Sequence, residues 1–112
     1  MPYISVHTSL ALSEPEKDTL KSALGQAILV LPGKEEAGLM IEITDQCCLY
    51  YGGKKGKIAY VDVKALGTPA EADQKAFLEA ISKVLVDTGC DKDKVYITFV
   101  GLPNWGANGT MI

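Results

Sequence analysis

Few side chains in this sequence have the chemistry of a nucleophile or a metal ligand. Cysteines occur at Cys47, Cys48 and Cys90, none of them in C-x-x-C spacing, and His7 is the single histidine. These four groups match no recognised zinc-site spacing, so we expect no metal and no other cofactor. We interpret the cysteines as buried or half-buried thiols of a reducing compartment. A cytoplasmic location is therefore the default expectation.

The basic residues are all lysines. The chain has 11 of them and no arginine among its 112 residues. Only the guanidinium fork of arginine binds a carboxylate or phosphate in a bidentate manner. Any anion must therefore be held by lysine ammonium groups or by backbone N–H groups. The net charge of −3 also argues against a general nucleic-acid-binding protein.

The second residue is a proline. Removal of Met1 would turn Pro2 into a free secondary amine, and such an amine is a general base if its pKa lies near the working pH. Burial and a neighbouring lysine ammonium would both lower that pKa, because each disfavours the charged form. A Met-Pro start also occurs by chance, so Pro2 could equally be a plain first residue of a strand.

The first half of the chain, about residues 1–56, predicts a strand, a helix and a second strand. Residues 3–8 alternate as a strand does. Ser13 and Glu16 then form a capping box at a helix start. Pro32-Gly33 ends this helix, and residues 39–43 form the next strand.

The second half, about residues 57–112, repeats this order. A strand over 58–66 precedes a capping box of Thr68 and Glu71, a helix that ends at Gly89, and a strand over 95–99. Gly33 and Gly89 are 56 residues apart in the sequence. Two tandem β-α-β units are the simplest explanation.

Two further turns are indicated outside these elements. Gly52-Gly53 follows an apolar run over 47–51 and is typical of a hairpin turn. Asn108-Gly109 is a similar signal, and the short tail after it would add an edge strand.

The two units predict one domain over 1–112 of the α/β class, in a two-layer α+β arrangement. Its four-stranded mixed sheet should carry both helices on one face. The opposite face then holds tyrosine, methionine and charged side chains, at Tyr3, His7, Met40, Glu42, Tyr60, Asp62, Tyr96 and Thr98. Such a mixture indicates a subunit interface or a wet channel, so we expect an oligomer. No run of 18 apolar residues is present, and no membrane span is expected.

Three segments accompany the Met-Pro start. Gly33-Lys34 follows the first helix, Ala65-Leu66-Gly67 ends the third strand, and DKVYITF over 93–99 leads to WGANGT over 105–110. Together, at these spacings along the whole chain, they resemble the macrophage migration inhibitory factor family of the tautomerase superfamily. The C-terminal motif is the most specific part of the resemblance.

The resemblance implies a homotrimer with active sites at its subunit boundaries. It also implies a keto–enol tautomerase that acts on phenylpyruvate-like 2-oxo acids or their enols. Pro2 matches the processed catalytic base of the family, and Lys34 matches a lysine of the site. Leu66 matches an apolar wall residue and Tyr96 a tyrosine contributed by the neighbouring subunit. Thr98 is a further substrate-binding position.

The sequence also departs from the family pattern. Thr98 stands where mammalian members usually have asparagine, and Ala107 where an aromatic residue often borders the pocket. Ile58 and Val61 occupy the positions of a C-x-x-C pair found in some members, so thiol-oxidoreductase activity is not expected. Superfamily branches that hold carboxylates with arginine resemble this chain less. The pocket rim with Thr98 and Ala107 should accept substrates that differ from the mammalian ones.

Other interpretations stay open at this point. Lys34 could serve as a cation at a helix C-terminus, and Tyr96 as a half-buried strand aromatic. A cytokine-like binding or signalling protein would keep the fold with incidental or no catalysis, and some such relatives are secreted without a signal peptide. A ferredoxin-like regulatory domain that begins Met-Pro by chance would be a monomer or dimer without a reactive amine.

Overall fold

The computed structural model describes residues 1–112. Its elements are β1 (Pro2–Thr8), α1 (Glu14–Ala27), β2 (Met40–Thr44), β3 (Ala59–Leu66), α2 (Glu71–Thr88), β4 (Val95–Leu102), β5 (Gly106–Ala107) and β6 (Thr110–Met111). Single turns of 3-10 helix occur at Ile28–Val30, Glu36–Gly38 and Lys92–Lys94. The order of the elements confirms the two β-α-β units expected from the apolar spacing.

The main sheet has the strand order β2-β1-β3-β4. β1 pairs with β2 and β3 with β4 in parallel, whereas β1 and β3 pair antiparallel at the centre. Each unit therefore supplies one parallel pair, and the two units join through their first strands. The predicted four-stranded mixed sheet is confirmed.

Both helices pack on the same face of this sheet, as the sequence predicts. The apolar stripes of the helices pack against the inward-facing residues of the two central strands. The fully buried side chains of this core include Ile4, Val6, Leu20, Leu24, Val61, Val63, Phe77, Ile81 and Leu85. The rings of Phe77 and Phe99 pack edge to face with their centroids 6.1 Å apart. No helix in the structure has the length and apolarity needed to cross a membrane.

The two helices begin differently. Ser13 Oγ accepts a 3.2 Å hydrogen bond from the N–H of Glu16, and Glu16 Oε1 accepts one of 2.9 Å from the N–H of Ser13, so the first capping box is confirmed. The box predicted for Thr68 and Glu71 is wrong. α2 begins only at Glu71, after Ala70 at the N-cap, and no side chain caps it. Glu71 is thus the first helical residue, two positions before the third helical position that a capping box requires.

The strand ends also differ from the sequence expectations. β4 continues to Leu102, beyond the predicted end at residue 99, because it stays paired with β3 as far as Leu66. The tail after Asn108-Gly109 does not extend the main sheet. It forms β6, which pairs antiparallel with β5 in a separate hairpin. The turn predicted at Gly52-Gly53 is confirmed, since Tyr51 and Lys54 pair across it.

Candidate active site

Three predicted site residues meet at one end of the sheet. Pro2 begins β1, is buried, and pairs with Ala65 of β3. The Nζ atom of Lys34 donates a 2.9 Å hydrogen bond to the carbonyl oxygen of Leu66, the last residue of β3. The N–H of Leu66 donates in turn to the carbonyl oxygen of Met1, at 3.1 Å. Leu66 therefore connects the start of β1 to the Lys34 side chain.

The loop after α1 brings Lys34 to this position. α1 is followed by the 3-10 turn Ile28–Val30, and Gly33 then adopts a φ of 76°, which glycine reaches without steric cost. The N–H of Lys34 donates to the carbonyl oxygen of Leu31 at 3.1 Å. This tight turn directs the half-buried Lys34 side chain back over the end of the sheet.

The N-terminal amine lies in the same environment. Burial, above all, lowers the pKa of the Met1 amine, and the positive charge of Lys34 and its hydrogen bond lower this pKa further. Each effect disfavours a second cation at this end of the sheet. While Met1 is attached, the nitrogen of Pro2 is an amide without a basic lone pair. An amine at the start of β1 can therefore be neutral at a lower pH than an exposed amine.

The structure does not bring Tyr96 and Thr98 to the Pro2 of the same chain. In the sheet register Pro2 pairs with Ala65 of β3, which pairs in turn with Gly101 of β4. Gly101 lies five residues after Tyr96 along β4. At a rise of about 3.3 Å per residue the two positions are about 16 Å apart. The family role of Tyr96 lies in a neighbouring subunit, which a single chain does not contain, so that role stays a prediction.

The hydroxyl group of Thr98 belongs to a hydrogen-bond network on the helix-free face of the sheet. Thr98 Oγ1 lies 2.7 Å from the hydroxyl of Tyr60 and donates to Asp62 Oδ1 at 3.3 Å. Lys64 binds the other oxygen of Asp62 at 2.5 Å, and the hydrogen bond with Asp62 raises the pKa of Lys64. Thr98 is therefore occupied by partners of its own chain.

The same face exposes apolar side chains beside these polar ones. Met40 is 68% exposed and Tyr96 is 62% exposed. Tyr3 donates a 2.5 Å hydrogen bond to Glu42, and this bond lowers the pKa of Glu42. Charged and apolar groups thus alternate over an open sheet surface, as in protein interfaces.

Tyr51, which no sequence motif marks as a site residue, contacts Tyr96. Their rings pack edge to face with centroids 5.3 Å apart, and the hydroxyl of Tyr96 donates to that of Tyr51 at 3.3 Å. The hydrogen bond with Tyr96 raises the pKa of Tyr51, and the proximity of a second ionisable phenol raises it further. The Tyr51 phenol therefore stays neutral near pH 7. The position of Tyr51 before the Gly52-Gly53 turn was the only sequence signal.

The cysteines and the other potential metal ligands add no group to this site. Cys90 is buried and Cys47 is half-buried, as expected, but Cys48 is exposed. No group of three or more His, Cys, Asp and Glu side chains is placed to hold a metal ion. The main clefts of a single chain, among them a groove of about 290 Å³ between α1 and α2, are lined by residues other than Pro2, Lys34 and Leu66.

Comparison with known proteins decides the family. The family model described as macrophage migration inhibitory factor matches residues 1–112. The chain belongs to the macrophage migration inhibitory factor family. A comparison with curated proteins found no match. The fold of this family member is similar to that of Leishmania major MIF2, with a TM-score of 0.92 and 24% sequence identity over 100% of this chain and 97% of that chain.

Two solved structures of lower identity have the same fold. Pt0534, inactivated by 2-oxo-3-pentynoate, superposes with a TM-score of 0.86 and 19% identity over 96% of this chain and 93% of that chain. A fused 4-OT wild-type asymmetric trimer, named R7, superposes with a TM-score of 0.85 and 17% identity over 96% and 94% of the two chains. The two-layer fold of this macrophage migration inhibitory factor family member is thus shared across the comparison.

Proposed function

We propose that this chain is a keto–enol tautomerase for phenylpyruvate-like 2-oxo acids, with the amine of Pro2 as general base after removal of Met1. Its family and fold support a function like that of a tautomerase or of macrophage migration inhibitory factor. The observation that carries the finer proposal is the Lys34 ammonium held on Leu66, at the end of the sheet where burial and Lys34 lower the pKa of the Met1 amine.

The chemistry requires one base and one cation. The neutral Pro2 amine takes a proton from the enol hydroxyl, or from the carbon next to the 2-oxo group, and returns it one position over. The substrate oxygen is negatively charged between the two transfers. Lys34 stabilises this oxygen or holds the substrate carboxylate, and in a chain without arginine it is the cation whose charge already lowers the pKa of the Met1 amine. A positioned general base accelerates such a step by about 10²–10⁴-fold.

We propose a homotrimer as the assembly that completes this site. The main-chain groups of residues 48–50, an apolar segment outside the helices and strands, make no backbone hydrogen bond within the chain. Unpaired backbone of this kind is a ready partner for another strand. The fused 4-OT protein, which has the same fold, is itself an asymmetric trimer. In the proposed assembly, Tyr96 and Thr98 of one subunit face Pro2 of the next and close its pocket.

A cytokine-like binding protein of the same fold is the second candidate function. The observation that favours it is the network of Thr98, whose hydroxyl is bonded to Tyr60 and Asp62 and not directed to a free pocket. The proposed location is the cytoplasm for the enzyme. Secretion without a signal peptide would accompany the binding function.

An intact mass combined with a phenylpyruvate ketonisation assay tests the proposed enzyme. The purified chain should lack Met1 and should be active. Insertion of one alanine before Pro2 turns the proline nitrogen into an amide, and kcat/KM should fall by about 10²–10⁴-fold. One alanine added after Ile112 is the matched control and should leave activity unchanged. Full activity of the alanine-insertion variant contradicts the mechanism, and inactivity of a chain with a free proline amine towards every 2-oxo acid favours the binding function.

A further inference from the structure

Two tyrosines from separate parts of the chain form a pair on the surface. Tyr96 belongs to β4, where it lies beside Tyr60 of β3 in the sheet register. Tyr51 precedes the Gly52-Gly53 turn, 45 residues earlier in the chain. Their edge-to-face rings and hydroxyl–hydroxyl hydrogen bond are the contacts described above. The pair therefore connects a turn to a strand of the main sheet.

The Tyr51 backbone is fixed independently of Tyr96. Its N–H donates to the carbonyl oxygen of Lys54 at 2.8 Å, and the N–H of Lys54 donates back at 3.1 Å. Gly52 and Gly53 complete the turn with φ values of 59° and 79°. A hairpin closed on both sides in this way holds its first residue in a defined position. Tyr51 is half-buried, unlike its neighbour Tyr50, which is exposed.

The Tyr96 side chain has little other support. It is 62% exposed, and an exposed aromatic side chain samples several rotamers unless a neighbour restricts it. The ring of Tyr51 restricts the plane of the Tyr96 ring, and the hydroxyl oxygen of Tyr51 accepts a hydrogen bond from the Tyr96 hydroxyl. Binding a ligand to a side chain that is already ordered avoids the entropic cost of ordering it at that moment.

We propose that Tyr51 is a positioning residue, which orders Tyr96 for substrate binding in the active site of the neighbouring subunit. The inference rests on the proposed function, because that function places Tyr96 at the Pro2 of the next chain. Tyr51 acts through Tyr96 and does not touch the substrate. Its effect therefore falls on substrate binding and leaves proton transfer by Pro2 unchanged.

A double-mutant cycle in phenylpyruvate ketonisation tests this inference. Tyr51→Phe keeps the ring and removes the hydroxyl, and KM should rise about 2- to 10-fold, the range expected for the ordering of one side chain. In the Tyr96→Phe background the same change should have no further effect, because the hydrogen bond is already absent. Thr19→Val, which removes an exposed hydroxyl of α1, is the control and should leave KM unchanged. The acid limb of the pH profile of kcat/KM should stay in place in every variant.

Two outcomes overturn the inference. An unchanged KM in Tyr51→Phe shows that the hydroxyl does not order Tyr96. An equal rise in both backgrounds shows that Tyr51 acts without Tyr96. Failure of the proposed function is read separately, from the alanine insertion before Pro2. If ketonisation is absent, the dissociation constant of phenylpyruvate, measured by calorimetry, replaces KM in the same cycle. A dissociation constant that Tyr51→Phe leaves unchanged, or that it raises equally in both backgrounds, rejects the role of Tyr51 in the same way.

Discussion

The ammonium group of Lys34 lies 2.9 Å from the carbonyl oxygen of Leu66, at the residue where β3 ends. This contact fixes a positive charge beside the start of β1. The charge of Lys34 lowers the pKa of the N-terminal amine, next to the larger effect of burial. One lysine can thus have two roles in the proposed reaction: its charge keeps the base neutral, and its ammonium group stabilises the negative oxygen of the substrate.

Replacement of Lys34 by glutamine should therefore change both the pH dependence and the rate. Without the positive charge the pKa of the N-terminal amine rises, so a smaller fraction of the amine is neutral at a given pH. The acid limb of kcat/KM should move to higher pH, and kcat should fall by about 10²–10³-fold, as for the loss of one donor to a developing oxyanion. Rates measured across the range in which the amine titrates check both effects.

Lys34→Arg is the control for this change, because it keeps the charge and alters only the shape of the donor. Its acid limb should stay close to that of the parent chain. If Lys34→Gln leaves the acid limb where it was, the charge of Lys34 does not control the base.

The two helix starts allow a second prediction. Ser13→Ala removes the hydroxyl that caps α1 and should lower the free energy of unfolding by about 0.5–2 kcal/mol. Ala70→Ser adds a hydroxyl at the uncapped N-cap of α2, where the backbone is already extended (φ −58°, ψ 148°), and should stabilise the chain by about 0.5–1 kcal/mol. Urea unfolding measures both. Equal stability of Ala70→Ser and the parent would mean that the new hydroxyl does not reach the helix.

The failed capping box shows where local patterns stop being informative. Ser13–Glu16 and Thr68–Glu71 have the same spacing, but only the first coincides with a helix start. After β3 the chain is held by a hydrogen bond from the N–H of Gly67 to Leu102, at 2.8 Å. This tertiary contact ties the segment before α2 to β4, and a four-residue pattern contains no information about it. The two β-α-β units, by contrast, follow from apolar spacing alone.

The candidate site was predictable in part for a similar reason. Pro2, Lys34 and Leu66 come from segments that the resemblance identified, and the structure brings them to one end of the sheet. Tyr51 was missed because its contact with Tyr96 joins a turn to a strand across 45 residues. No local periodicity marks such a contact. In the proposed assembly the position of Tyr96 relative to Pro2 depends on a second subunit, which a single sequence does not describe.

Gly101 gives a third prediction, at the strand end beside the site. A Cβ atom at Gly101 would lie 2.5 Å from the carbonyl oxygen of Gly67 and 2.9 Å from Thr68 Oγ1. Because the closer atom belongs to the backbone, Gly101→Ala must shift the end of β3, and it should destabilise the chain by about 1–3 kcal/mol. Gly38→Ala is the matched control, since nothing lies within 4 Å of its Cβ position. Equal urea midpoints for the two variants would contradict the steric argument.

The last prediction concerns the helix-free face as the subunit interface. Met40 is 68% exposed there, whereas Leu29, 55% exposed, follows α1 on the helical layer. The parent chain should have a mass in solution of three times 12.0 kDa. Met40→Glu would bury a carboxylate between subunits, at a cost of several kcal/mol, so we expect a smaller species by light scattering. Phenylpyruvate ketonisation should be lost with the assembly, because Tyr96 would no longer reach a neighbouring Pro2. Leu29→Glu, with the same new charge, should keep both mass and activity, and a trimer that survives Met40→Glu would place the interface elsewhere.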